Sequence, residues 1–343
     1  MGGPTARGSE PRRVGLKNPA PGDASALQNC CGIVLAAGEG TRLRRYIQQI
    51  RGKSLPKQYV NFVGKRSMLE HTFDRAERLI PRDRLFTVVS RDHLDFPEVR
   101  RQLATRPSGT VISQPANKDT GPGLLLPLIR LCRRHPGSIV AVFPSDHYVL
   151  EEDLFMHYVR QGCRAVGREP DRVILLGVEP SAPEPEYGYI LPGDEQNLLA
   201  WPGIRRVSRF IEKPQESAAL DLIRAGGLWN TFVMAFSADT LLDLARRHAP
   251  ALVQSFEPIW EASGEAEEKR LVEEVYREIA PLNFSKDFLE IVALREPSRL
   301  FVLPVRGVTW SDWGSERRVV QYTSAAEGLS ESDLGNEKFI TKH

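Results

Sequence analysis

Apolar residues along this chain fall into two rhythms: short continuous runs, and longer stretches with helical spacing. "GIVLAA" (32–37) is an apolar run that enters a glycine turn. "LFTVVS" (85–90) and "TVISQ" (110–114) predict two further strands, while "SIVAVF" (138–143) and "RVILLGV" (172–178) are near-continuous apolar runs. Runs of that kind fit parallel strands buried on both faces. Between them, "MLEHTFDRAERLI" (68–80) places Leu69, Phe73, Ala76 and Ile80 on one helical face. "PGLLLPLIRLCRR" (122–134) reads as a mostly buried helix with Pro127 as its weak point.

Alternation of strand and helix predicts an α/β fold, a three-layer α/β/α Rossmann-like arrangement with a mixed, mostly parallel central sheet. An antiparallel section is expected around 187–213. No repeat stands out at the periods of solenoids. One domain over 29–325 is expected, between a Gly-, Pro- and Ala-rich lead-in (1–28) and a polar, acidic tail (326–343). In open α/β sheets ligands bind beyond the carboxyl ends of the strands. The loops after "GIVLAA", "TVIS" and "IVAVF" should therefore converge on one crevice.

Charge narrows the partners. Lys and Arg number 46 against 44 acids, a formal charge of +2 in 343 residues. That balance argues against nucleic acid, whose backbone demands a concentrated basic excess. No apolar run approaches the roughly 18 residues that cross a bilayer, so no membrane association is expected. The N-terminus lacks the apolar core of a signal peptide. Cys30, Cys31, Cys132 and Cys163 form no CxxC pair and no zinc spacing, so a reducing, cytoplasmic setting is expected. A homo-oligomer is left open.

The candidate chemistry begins in "LAAGEGTRL". Gly38 and Gly40 lack the third glycine of a dinucleotide fingerprint, because Leu43 stands in its place. Gly52-Lys53-Ser54 matches the end of a P-loop, but Ile47 stands where the first glycine belongs. What remains is Ala37, Gly38, Gly40, Thr41 and Arg42, with Leu55-Pro56-Lys57-Gln58 following. Small residues let backbone N–H groups approach phosphate oxygens, Arg42 can fork onto a phosphate, and Lys57 adds a compact charge. A tight turn with solvated cations is the plain alternative.

This pairing resembles the signature of the sugar-nucleotide pyrophosphorylases, nucleotidyltransferases acting on sugar 1-phosphates. The loop alone also resembles the cytidylyltransferase of isoprenoid synthesis. Five further motifs favour the first family, and mannose-1-phosphate guanylyltransferases within it. "VFPSDH" (142–147) resembles their metal-binding PSDH, so the resemblance implies Asp146 as a Mg²⁺ ligand; the plain alternative is a helix cap before "EEDLF". "SRFIEKP" (208–214) matches F-x-EKP, which implies Lys213 on the sugar phosphate and Glu212 on sugar hydroxyls; an exposed ion pair before a turn is the plain alternative. "PEYGYI" (185–190) is similar to TGYGYI, implying Tyr187 and Gly188 in a sugar pocket, with Glu186 in place of the usual Thr. "LWNTFVMAF" (228–236) resembles WNSGMF, implying Asn230 on a sugar hydroxyl, with Phe232 in place of the usual Gly. "WSDWGS" (310–315) resembles WxDxGS, implying Asp312 as the second acid on Mg²⁺.

"NFSKDFLE" (283–290) is similar to SIDYAVME and implies an architectural or sugar-side role for Asp287. "SQPANKDTGPG" (113–123) stands where guanylyltransferases carry a sequence like RNTAPA. Gln114, Thr120 and the backbone at Gly121 are candidates for the nucleotide base, while Asp119 departs from the pattern. The resemblance spans roughly 32–315 with motifs in family order. It implies the nucleotidyltransferase fold, Mg²⁺ as cofactor, and GTP plus mannose 1-phosphate giving GDP-mannose and pyrophosphate. Arg42 and Lys57 would hold the leaving pyrophosphate. The alternatives are another sugar and base pair, a regulatory homologue that binds a sugar nucleotide without turnover, and a GT-A glycosyltransferase. The stretch after Ser315 leaves little room for a further domain, so a single activity is expected.

Overall fold

The computed structural model describes residues 27–193, 201 and 203–326. The expected tails at 1–28 and 326–343 lie outside the described residues, apart from 27, 28 and 326. Among the described residues, nine strands form the central sheet: β1 (Cys30–Ala36), β2 (Leu85–Ser90), β3 (Val111–Gln114), β4 (Ile139–Pro144), β6 (Val173–Val178), β7 (Gly188–Pro192), β8 (Arg205–Glu212), β9 (Leu228–Ser237) and β10 (Leu300–Val305). Between β4 and β6 lies a short strand, β5 (Tyr148–Val149), which pairs outside this sheet with β11 (Trp310–Ser311). The order is β3-β2-β1-β4-β9-β6-β10-β8-β7, and β9 also pairs with β7.

β8 and β9 run against the other strands, which share one direction. The sheet is therefore mixed: among the described residues seven of its nine strands share one direction, while β8 and β9 make five of its pairings antiparallel. The antiparallel section expected around 187–213 is the β7–β8 pair. β4 and β6 are buried along their whole length, as their apolar runs predict, although each has β9 as an antiparallel neighbour.

Helices cover both faces of the sheet. In chain order they are α1 (Arg44–Arg51), α2 (Met68–Ala76), α3 (Pro97–Leu103), α4 (Thr120–Arg134), α5 (Glu152–Arg168), α6 (Glu216–Arg224), α7 (Ala238–His248), α8 (Pro250–Glu261), α9 (Glu265–Glu278), α10 (Glu290–Arg295) and α11 (Glu316–Ala326). One core joins the sheet to α4 and α7 to α10. A second joins its other face to α2, α3, α5 and α6. A smaller cluster of Leu43, Ile47, Val60, Met68, Trp313 and Val319 seats α1 and α11 together.

Local chemistry sets the helix ends. Ser67 and Glu70 form a reciprocal capping box at the start of α2. α2 ends at Ala76, short of the expected Ile80; the chain continues as turns, with the Leu79 and Ile80 N–H groups both donating to the Ala76 carbonyl. Ile80 stays fully buried all the same. α4 runs through Pro127, whose missing bond and ring clash cost about 3 kcal/mol. Leu124, Leu125, Leu126, Leu128, Ile129 and Leu131 are all buried there, each contributing roughly 1.5–3 kcal/mol, so packing outweighs the break.

Candidate active site

A crevice of about 810 Å³ opens at the carboxyl ends of β1, β3 and β4, where the sequence pattern places it. Its floor is the loop that leaves β1. Gly40 has φ 59°, and a Cβ there would stand 3.0 Å from the Lys57 backbone nitrogen, so both conformation and contact call for glycine. Gln58 Nε2 donates to the carbonyls of Ala36 (2.9 Å) and Gly38 (2.8 Å). Tyr59 Oη donates to the Ala36 carbonyl at 3.0 Å. "LPKQY" thus holds "AAGEG" in place, which gives the spacing of the two motifs a physical cause. Ala37, Gly38, Gly40, Thr41 and Arg42 all line the crevice.

Two aspartates share Lys57 beside this loop. Asp146 follows the end of β4, and Ser145 ties that end to β1 by donating its Oγ to the Leu35 carbonyl at 2.7 Å. Asp312 follows β11, and the β5–β11 ladder pairs Ser311 with Tyr148. That ladder brings two distant parts of the chain together. Lys57 sits between them, 6% exposed, with Nζ 2.9 Å from Asp146 Oδ2 and donating at 2.6 Å to the Asp312 main-chain carbonyl. Burial alone would raise the Asp146 pKa, but the charge and hydrogen bond of Lys57, with His147 and the backbone N–H of Asp146, together hold the carboxyl below its usual value. Burial drives neighbouring His147 down to about 4, so its imidazole is neutral at pH 7. Asp146 caps no helix: α5 starts at Glu152, with Glu151 as its cap residue.

Asp312 Oδ1 accepts from Tyr187 Oη (3.0 Å) and the Gly314 N–H (2.8 Å), and lies 3.2 Å from Arg318. Burial and the Asp312 charge both raise the Tyr187 pKa, so that hydroxyl stays protonated and donates. Arg318, on α11, also reaches Glu184 Oε2 (2.5 Å) and Glu186 Oε2 (2.9 Å) and lies over the Tyr187 ring. The same Glu186 oxygen is 2.6 Å from Arg42, and Arg42 is 3.6 Å from Asp312 Oδ2. No sequence motif marks Arg318, whose partners come from two separate segments, 184–187 and Asp312.

The remaining candidates come from other segments. Glu212 and Lys213 line the crevice, with Lys213 exposed and its backbone N–H donating to the Tyr187 carbonyl at 3.1 Å. Burial, reinforced by Glu290, raises the Glu212 pKa against the pull of Lys213. Gln114 and Thr120 line the same space. Gln114 is 1% exposed, and its Oε1 has no hydrogen-bond partner among the described residues.

Four candidates stand one layer behind the lining: Gly121, Tyr187, Gly188 and Asn230. The Gly121 N–H is already donated to the Leu282 carbonyl at 2.8 Å, which takes it away from a base. The space beside Gly188 belongs to Glu212, whose Oε2 would be 2.6 Å from an added Cβ. Asn230 Oδ1 accepts from the Phe232 N–H at 3.0 Å. Tyr187 reaches the site through Asp312. Asp287 accepts from the Asn283 N–H at 2.8 Å, an architectural placement.

Among the described residues, the non-glycine residues with positive φ are Asp119 (67°), Lys213 (50°), Phe232 (57°) and Trp313 (45°). Asp119, Lys213 and Phe232 line the crevice, and Trp313 lies between its lining residues Asp312 and Gly314. Strain of this kind costs about 1–3 kcal/mol per residue and collects at functional sites. The backbone at Phe232 is one that glycine adopts freely, so the departure noted there adds both strain and bulk.

The acids also allow a test for magnesium. Among the described residues, no group of three or more His, Cys, Asp or Glu could hold a metal alone. Magnesium, however, is commonly bound by one or two carboxylates completed by substrate phosphates. Oδ2 of Asp146 and Oδ1 of Asp312 take the close contacts, so each acid has a second oxygen to offer. This all-oxygen pair beside a phosphate-type loop fits the ion.

Sheet order, glycine loop and strand-end acids together define an α/β protein built to handle phosphates. The chain belongs to the nucleotidyl transferase family, whose profile matches residues 31–327. It is 27% identical over 285 residues to the xanthan biosynthesis protein XanB of Xanthomonas campestris, a match covering 82% of this chain and 57% of that one. It is 25% identical over 316 residues to the mannose-1-phosphate guanylyltransferase of Escherichia coli, covering 89% and 63%. Both curated relatives are thus matched over little more than half of their length. A crystal structure from Thermus thermophilus, described as a mannose-1-phosphate geranyltransferase, superposes with a TM-score of 0.70 at 29% identity, covering 85% of this chain and 79% of that one. Among the described residues no helix is long and apolar enough to cross a membrane.

Proposed function

We propose that this chain transfers a nucleotidyl group to a sugar 1-phosphate, with GTP and mannose 1-phosphate as its substrates and GDP-mannose and pyrophosphate as its products. The observation that carries the reading is a single crevice lined by Arg42 and Lys57, by Lys213 from the end of β8, and by the two acids Asp146 and Asp312. Lys57 contacts Asp146, and Arg42 lies 3.6 Å from Asp312. The names of the relatives support the sugar and the base, and the four free, buried cysteines support a reducing, cytoplasmic setting.

An oxygen of the sugar phosphate attacks the α-phosphorus in line, the α–β phosphoanhydride bond breaks, and pyrophosphate leaves with the electron pair. Reactions of this kind need alignment and charge neutralisation more than an acid or base. Lys213 holds the attacking phosphate, with Glu212 beside it for sugar hydroxyls. The N–H groups of the glycine loop and Arg42 cradle the triphosphate. Lys57 keeps Asp146 ionised and adds positive charge where the leaving group develops negative charge. Magnesium, held by Asp146, Asp312 and the phosphates, would supply charge neutralisation at the α-phosphate. The buried, unpartnered carbonyl of Gln114 reads a donor on the base edge.

The test is a panel of nucleoside triphosphates and sugar 1-phosphates with Mg²⁺, read by pyrophosphate release. GTP with mannose 1-phosphate should give the highest kcat/KM. Turnover only with another pair overturns the substrate assignment, and binding without turnover for every pair makes the chain a sugar-nucleotide sensor.

A further inference from the structure

Glu186 occupies a place where a phosphate oxygen would be welcome. Its Oε2 lies 2.6 Å from Arg42 and 2.9 Å from Arg318, so one carboxylate oxygen bridges the loop after β1 to α11. An isolated surface pair of this kind is weak, because two long side chains must be ordered in water. Here the ordering is already done. Arg318 is largely buried and is fixed by Glu184, Asp312 and the Tyr187 ring, and it holds Glu186 in position before Arg42 arrives. Arg42, by contrast, is half exposed at the crevice mouth.

We infer that Glu186 is a positioning residue that competes with the substrate's phosphates for Arg42 and so weakens triphosphate and pyrophosphate binding. The inference rests on the reading that Arg42 binds the departing pyrophosphate. A guanidinium offers its paired N–H groups to phosphate most strongly when they are free of another anion. At Arg42 one terminal nitrogen already faces a carboxylate that α11 keeps in place. An incoming phosphate must displace that contact and then sit beside a carboxylate that Arg318 alone still compensates. The same competition hastens departure of pyrophosphate, because the internal anion returns as the product leaves. Binding loses and release gains.

The experiment measures binding of inorganic pyrophosphate with MgCl₂ by titration calorimetry, with neither sugar nor nucleotide present. Glu186→Gln keeps the shape and removes the charge; Glu186→Thr removes the arm as well. Both should bind pyrophosphate about twofold to fivefold more tightly than the wild type, the scale of one partly exposed charge pair. In an Arg42→Gln background the same substitutions should have no effect, because the coupling runs through Arg42. The KM for sugar 1-phosphate should stay unchanged. Unchanged or weaker pyrophosphate binding in the Glu186 variants overturns the inference, as does a gain that persists without Arg42. If Arg42→Gln alone leaves pyrophosphate binding intact, the leaving-group role of Arg42 falls together with the inference. If it weakens binding while the Glu186 variants do nothing, only the inference falls.

Discussion

Lys57 and Asp312, 255 positions apart in sequence, meet at 2.6 Å, with the lysine ammonium donating to the aspartate's main-chain carbonyl. The same ammonium is 2.9 Å from the Asp146 carboxylate, so one buried cation ties together the two acids assigned to magnesium. Lys57→Met should leave Asp146 ionised without its partner. The carboxylate is one-third exposed, which reduces the penalty to about 1–3 kcal/mol in urea denaturation. Asp146→Asn in the same background should recover part of that loss. An unchanged midpoint in Lys57→Met would mean the pair contributes nothing to stability.

Asp146→Asn alone should fold, because Lys57 keeps its bond to Asp312. Its turnover should fall by about 10²–10³, the usual effect of losing one group that stabilises transition-state charge. Steady-state pyrophosphate release and circular dichroism measure the two halves of this expectation. Wild-type turnover in the variant would remove Asp146 from the mechanism.

Gln114 carries a buried carbonyl oxygen with no hydrogen-bond partner among the described residues. Gln114→Leu removes that unsatisfied group, so the melting temperature should hold or rise. The KM for the nucleoside triphosphate should rise about tenfold or more, since a lost base contact costs roughly 1–3 kcal/mol. Affinity for inorganic pyrophosphate, which has no base, should be unaltered. Equal weakening of both ligands would place Gln114 on the phosphates.

Asp119 sits at φ 67°, ψ −172°, a region that is essentially glycine's. Its side chain accepts from the Thr120 N–H at 2.6 Å at the start of α4. Asp119→Gly should relieve roughly 1–3 kcal/mol of strain and lose only a few tenths from the cap. Asp119→Ala should keep the strain and lose the cap, costing about 1 kcal/mol. Thermal unfolding should therefore rank glycine above aspartate above alanine. A glycine variant less stable than the alanine variant would show that the strain is not stored there.

His93 is buried, with Nδ1 3.3 Å from Tyr59 Oη and Nε2 without a hydrogen bond, 3.9 Å from Glu39 Oε1. Burial holds its pKa below the ordinary 6.5, against the smaller pull of Glu39. As pH falls below 6.5 the unfolded chain takes up this proton while the folded chain does not, so stability drops until the folded-state pKa is reached. His93→Phe lacks the titration and should lose less stability than the wild type between about pH 7.5 and 5.5, measured by urea denaturation. Parallel losses in the two proteins would mean His93 titrates alike in both states.

Sequence alone determined the parts with local causes. The extent of β2 and the burial of β4 and β6 follow from runs of apolar residues, because period and burial are local properties. The glycine loop, the strand-end Asp146 and the Glu212-Lys213 pair were legible as motifs, since each is one short turn of chain. Tertiary structure decided what spans large separations. It supplied the β5–β11 ladder that brings Asp312 to Asp146, the reach of Arg318 from α11 into the site, and the burial of Lys57 between the two acids. It also turned the Gly121 N–H toward Leu282 and packed Glu212 against Gly188. A hydrogen bond or an ion pair needs two partners within a few ångströms, and for residues so far apart along the chain only the closed sheet sets that distance.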